Sequence, residues 1–203
     1  MSHAVEDTRD AAAKVPPRER ILEAAGDLFM RYGIRGVGVE AIAEAADTNK
    51  MTLYRHFASK DELVAEWLRR LFEEWSEVWR EIDEQPLGDP RKQLDAFLKA
   101  LGDALEHCAD RGCPFMNSLA EIPEKDHPAR RVLEDYKSMN RKRMVRFFRK
   151  IGVSSPTQAA DEVYLLFDGA KAGIQDCGVE KGRARFIRLA KTLIEARMTD
   201  AAA

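Results

Sequence analysis

No stretch of the 203-residue chain approaches the roughly 18 consecutive apolar residues that a membrane span needs, so none is expected. The opening, MSHAVEDTRDAAAKVPP, lacks the charged-then-apolar layout of a secretory signal, and the expected location is the cytoplasm. Cysteine is scarce. Cys108, Cys113 and Cys177 are an odd set in a chain long enough to need no disulfide framework, and reduced thiols are the simplest reading. His107, Cys108 and Cys113 fit no common zinc spacing and no second ligand pair follows, so no metal or cofactor is expected. The four histidines, His3, His56, His107 and His127, are scattered, and GxSxG, P-loop and HExxH motifs are all absent. The chain therefore reads as a non-enzyme. No run of alternating β-branched residues is long enough for a sheet, which leaves an all-α fold of about nine helices.

What is present is a chain 45% apolar and 33% charged, enough for a substantial core, with a net charge of −2. Residues 1–60 hold nine Lys/Arg and nine Asp/Glu. Any nucleic-acid binding must then rest on a local patch rather than on overall charge.

Helical spacing places a first helix from Pro17 to Gly33, with Ile21, Leu22, Ala25, Leu28, Phe29 and Tyr32 as its apolar stripe. A second runs from Val39 to about Ala46, with Val39, Ile42, Ala43 and Ala46 inward, and Asp47 makes the turn because it tolerates the left-handed conformation. A third, capped by Asn49, spans Lys50 to Phe57, giving a helix-turn-helix. Ser59-Lys60-Asp61-Glu62 is a capping box opening a fourth helix that continues to Ile82, where QPLGDP breaks it. Leu94, Phe97, Leu98, Leu101, Leu105 and Cys108 mark the fifth, and Pro114 to Glu121 a short sixth. The seventh, ending at Gly152, carries Val132, Leu133, Tyr136, Met139, Met144, Phe147, Phe148 and Ile151. Ser155-Pro156 caps the eighth, which reaches Cys177, and the ninth spans about Gly182 to Met198. The expected division is a flexible tail at 1–15, a DNA-binding module at 16–62 and a helical remainder at 63–199.

From Thr48 to Lys60 there is no carboxylate. A helix lying in a major groove must shed acids, which repel phosphate, and gain donors. Leu53 and Phe57 share one face and plug the module's core, leaving Lys50, Met51, Thr52, Tyr54, Arg55 and His56 on or beside the open surface. Arg55 suits guanine O6 and N7, and Thr52 or Met51 a thymine methyl. Asn49, Lys50, Tyr54, His56 and Lys60 complete the expected DNA-contacting set, mainly toward phosphates.

Ile21-Leu22-Glu23-Ala24-Ala25, Leu28-Phe29, Tyr32-Gly33, Val39-Glu40-Ala41-Ile42-Ala43, Leu53-Tyr54-Arg55-His56-Phe57 and Ser59-Lys60-Asp61-Glu62-Leu63 together resemble the TetR-type transcriptional repressors. The resemblance covers about residues 17–64; Gly38, Asp47 and Met51 depart from the usual pattern. It implies a dimeric repressor on a palindromic operator, with a C-terminal domain that binds a small apolar or amphipathic effector and releases DNA. A helical architectural or adaptor protein without an effector is the alternative.

A single three-helix module reads too short a site alone, so pairing across a two-fold axis is expected. The resemblance implies a four-helix contact from the last two helices, here Val163, Phe167, Ala170, Ile174, Phe186, Ile187, Ala190 and Leu193, with Gly169 and Gly173 allowing close approach. The same residues could instead be internal core. Soft, aromatic and polar side chains suited to lining an effector pocket are Trp67, Trp75, Phe97, Met116, Asn117, Glu121, Tyr136, Asn140, Phe167 and Asp168. Asn117 and Glu121, which fall in a GCP..N..E......HP pattern that resembles a subset of these regulators, either meet ligand or brace helix ends. Asp168 is also placed to pair with Lys171, three residues on.

Overall fold

A computed structural model describes residues 15–84, 88–109 and 111–198. Residues 1–14 of the expected 1–15 tail and the Gln85-Pro86-Leu87 break lie outside them. Nine α-helices occur among the described residues: α1 Pro17–Tyr32, α2 Val39–Ala45, α3 Lys50–His56, α4 Lys60–Glu84, α5 Pro90–Ala104, α6 Pro114–Glu121, α7 Pro128–Lys150, α8 Pro156–Cys177 and α9 Val179–Glu195. A 3-10 turn, Leu105–Cys108, follows α5. None of these helices is long and apolar enough to cross a membrane. The chain packs as two compact units, one running through Arg70 and adding Ser118–Val132, the other taking Leu71–Asn117 and continuing from Leu133.

In the first unit, Pro17 opens α1 and Gly33 ends it at φ 78°, its N–H returning to the Phe29 carbonyl. Ile21, Leu22, Ala25, Phe29, Ile42, Ala43, Leu53 and Phe57 are buried. Tyr32, expected in that stripe, is 61% exposed, because the chain reverses at Gly33 and buries Ile34 and Val37 instead. The α2–α3 turn is made as its residues require. Asp47 adopts φ 49°, and the Asp47 and Thr48 amides bond the Glu44 and Ala43 carbonyls at 3.0 and 2.9 Å. Ser59 Oγ accepts from Glu62 N–H at 3.0 Å, starting α4.

In the second unit, Trp79, Phe97, Leu98, Leu101, Phe147, Phe148, Val163, Phe167, Phe186 and Ala190 belong to one apolar core, with Phe97 stacked on Phe147 at 4.4 Å between centroids. Three details depart from the sequence reading. Met139 is 40% exposed because the inward positions of α7 step Tyr136, Asn140, Met144, so a polar residue takes the place given to methionine. Ser155 precedes α8 at φ 50° but its side chain makes no capping bond; Pro156 at the first turn does the starting. Helix α9 begins at Val179, since Gly178, at φ 80°, ends α8 and caps α9 at once. Gly182 lies inside α9, where an added Cβ would collide with Ile174.

Candidate nucleic-acid interface

Helix α3 is held by its ends and its back. Asn49 Oδ1 accepts the Thr52 N–H at 2.9 Å, so this side chain caps the helix and keeps only its amide NH₂ for a partner. Leu53 and Phe57 are buried against α1 and α2, as their spacing predicts, and the Arg18 guanidinium lies 5.2 Å above the Phe57 ring. The outward face then carries Met51, 84% exposed, with Tyr54 and Arg55 also exposed. Thr52 and His56 are half-buried, and His56 Nε2 is enclosed without a hydrogen-bond partner.

Two cations are less free than the sequence suggests. Lys50 Nζ donates to Glu40 Oε1 at 2.6 Å across the turn, both side chains remaining exposed. This hydrogen bond holds the Lys50 ammonium above its ordinary pKa and the Glu40 carboxyl below its own. The acid-free stretch in sequence therefore faces an acid in space, supplied by the helix before it. Lys60 is half-buried and donates to the Ile34 carbonyl at 2.6 Å; burial lowers its pKa, opposed by the charges of Asp61 and Glu121. Its side chain thus braces the module rather than hanging free as a phosphate arm.

Glu121 belongs to the same unit. Its Oε2 accepts the Arg35 N–H and its carbonyl the Arg35 Nε–H, both at 2.9 Å, which is the bracing role. Trp67 is also there, its ring 5.3 Å from Phe29 and its indole packed on Gly26. Both belong to the first unit, and the other residues expected to line a pocket to the second.

Those that do come together lie in the second unit. Asn140 is buried, and its Oδ1 accepts from the indoles of Trp75 at 2.9 Å and Trp79 at 2.7 Å. The Trp75 ring stacks on Phe167 at 6.3 Å. Lys171 is buried, its Nζ 3.1 Å from Asp168 Oδ1 and 4.2 Å over the Phe167 ring. Tyr136 stacks on Phe115 at 3.7 Å, and burial pushes its phenol pKa up. Phe97 is pure core, Met116 is half-buried, and Asn117 donates to the Arg111 carbonyl at 2.7 Å. Tyr164, which is outside the expected pocket lining, joins this group through Asn140 and the Lys171 ammonium 5.8 Å from its ring. The i,i+4 pair Trp75 and Trp79 was the available signal, since two inward indoles need a shared acceptor.

On α8 and α9, Val163, Phe167, Ile174, Phe186 and Ala190 are buried within the subunit itself, while Ala170, Ile187 and Leu193 are half-buried. The first five thus serve internal packing. The apolar surface these helices leave open comes from Leu165, 72% exposed, and Leu189. A Cβ added at Gly169 or Gly173 would meet nothing, so both open outward. No group of three or more His, Cys, Asp or Glu among the described residues is placed to hold a metal ion.

Residues 21–67 match the family described as bacterial regulatory proteins, tetR family. The HTH-type transcriptional repressor KstR2 of Mycobacterium tuberculosis is 34% identical over 90 residues, 44% of this chain and 44% of that protein. The chain spans less than half the length of that relative. YvkB of Bacillus subtilis, an uncharacterized HTH-type transcriptional regulator, is 30% identical over 138 residues, 64% of this chain and 71% of YvkB. The crystal structure of SCO4454, a TetR-family transcriptional regulator from Streptomyces coelicolor, superimposes with a TM-score of 0.83 at 24% identity, over 90% of this chain and 96% of that one; it shares the fold.

Proposed function

Because the chain belongs to the tetR family of bacterial regulatory proteins, we propose that it is a sequence-specific repressor that binds a palindromic operator as a homodimer and is released by a small apolar or amphipathic effector. Regulators of this family bind DNA, generally as ligand-responsive repressors, and are not enzymes. One observation carries the reading. Helix α3 turns Met51, Tyr54 and Arg55 outward while Leu53 and Phe57 seat its back, so a groove would meet a helix face with no carboxylate of its own, beside the Glu40 carboxylate that α2 holds on Lys50.

Arg55 has no partner among the described residues, and reads guanine through two parallel N–H donors. Tyr54 and Lys50 hold phosphates, Lys50 leaving Glu40 as it does so, and Met51 packs against a base methyl. Two copies pair through the open faces of α8 and α9, where Leu165 and Leu189 support the contact, and present their α3 helices to half-sites about 34–36 Å apart. Trp75, Asn140, Phe167, Asp168 and Tyr136 support an effector site in the second unit. The protein acts in the cytoplasm, with its DNA.

Binding to the chain's own upstream region, measured by fluorescence anisotropy at several salt concentrations, tests this. Arg55→Ala should weaken the specific site by roughly ten- to a hundredfold and random duplex far less, the cost of one bidentate base contact. Equal losses on both would remove Arg55 from base reading. Glu40→Gln should tighten every duplex, because it deletes a carboxylate facing phosphate and frees Lys50.

A further inference from the structure

Cys108 and Cys113 are buried together at one tight turn. The 3-10 segment ends at Cys108, and the Gly112 N–H returns to the Cys108 carbonyl at 3.1 Å, a closure for which Gly112 takes φ 87°. Cys113 follows that turn and immediately precedes α6, where the Phe115 and Met116 backbone N–H groups face its sulfur, and the Cys108 thiol lies within hydrogen-bonding reach of it. Gln175 Nε2 clamps the same Cys108 carbonyl at 2.8 Å. One helical turn earlier on α8 stands the buried Lys171, its charge shared with Asp168. The Cys108 thiol, the Lys171 ammonium and those backbone N–H groups favour a thiolate on Cys113, drawing its pKa down against the cost of burial.

We propose that Cys113 and Cys108 form a hydroperoxide-reactive pair that closes to an intramolecular disulfide. The Cys113 thiolate attacks one peroxide oxygen; the O–O bond breaks, leaving a sulfenic acid and a hydroxide that takes up a proton to become water. The Cys108 sulfur then attacks Cys113, the S–O bond breaks, and the Cys108 proton leaves with the hydroxyl as a second water. Two thiols lose two electrons and two protons, and the peroxide is reduced to two waters. Ala109 and Arg111, between the two cysteines in the chain, are exposed, and each cysteine keeps 5% of its surface open, an access suited to an oxidant close to water in size.

The full-length chain with Cys177→Ser, which removes the remaining thiol, is treated with hydrogen peroxide. Thiols titrated after denaturation should fall from two to none, the monomer mass should drop by two hydrogens, and dithiothreitol should reverse both. Cys108→Ser should accumulate a dimedone adduct at Cys113, whereas Cys113→Ser should leave Cys108 reduced at the same dose. Lys171→Met should slow alkylation of Cys113 by iodoacetamide at neutral pH about tenfold, and Lys171→Arg should keep most of the rate. Two thiols surviving peroxide in a folded chain, or crosslinks only between chains, would overturn the assignment. None of these readouts involves DNA, so the pair stands or falls apart from the operator.

Discussion

The two units place their polar chemistry on opposite sides of their surfaces. In the first, apolar residues fill the inside and Met51, Tyr54 and Arg55 point out, so the exposed face of α3 is what remains after packing is satisfied. In the second, polar groups are drawn inside: Asn140 and Lys171 are buried, each held by aromatic rings as well as by polar partners. A surface that reads a large, regular polyanion needs only charge and shape on a firm back. An interior with paired donors, a buried ammonium and thiols depends on every partner being met, since an unmet buried group costs more than a met one returns.

Changes that break this contrast should do so in a definite order. Leu53→Ala removes the fully buried plug under α3 and should cost about 3–5 kcal/mol in urea denaturation followed by circular dichroism. A loss under about 1 kcal/mol would mean that α3 is not seated by this residue. Asn140→Ala leaves two indole N–H groups without their acceptor and should cost about 2–5 kcal/mol, with a shift in tryptophan emission; Asn140→Asp, which keeps an acceptor, should cost less.

Smaller changes sharpen the first unit. Gly33→Ala forces a side chain into φ 78° and sets its Cβ 2.8 Å from the Glu121 carboxylate, so about 1–2 kcal/mol should be lost. Part of that loss should return in a Glu121→Ala background, measured as a double-mutant cycle. Glu66 is held below the ordinary carboxylate range, first by its hydrogen bond from Arg18 at 2.5 Å, against the cost of burial. Its contribution is then complete above the unfolded value near 4.5 and disappears as pH falls through the lower folded value. The pair is partly exposed and screened, so Glu66→Gln should flatten the acid limb of the stability profile by less than about 1 kcal/mol.

The helices and the outward face of α3 were legible because local rules decide them. Pro17, Asp47 and Asn49 each did what their own backbone and side-chain chemistry favours, and the 3.6-residue period placed Leu53 and Phe57 underneath. Periodicity failed where two candidates competed for one inward place, as with Met139 and Asn140, or where a chain reversal reassigned the core, as with Tyr32. It was silent on partners distant along the chain. Glu40 opposite Lys50, Glu121 on Arg35, and Asn140 between two tryptophans all depend on how helices distant in sequence pack inside each unit.

Composition and spacing alone established an all-helical chain with a helix-turn-helix near its start, because caps, turn residues and apolar stripes act over one or two helical turns. Tertiary packing decided which cations stay free, which side chains of α8 and α9 serve the core, and that two cysteines five apart are buried together with a lysine from α8. Those outcomes rest on Coulombic and hydrogen-bonding partners brought together through space, which no periodicity along the chain encodes.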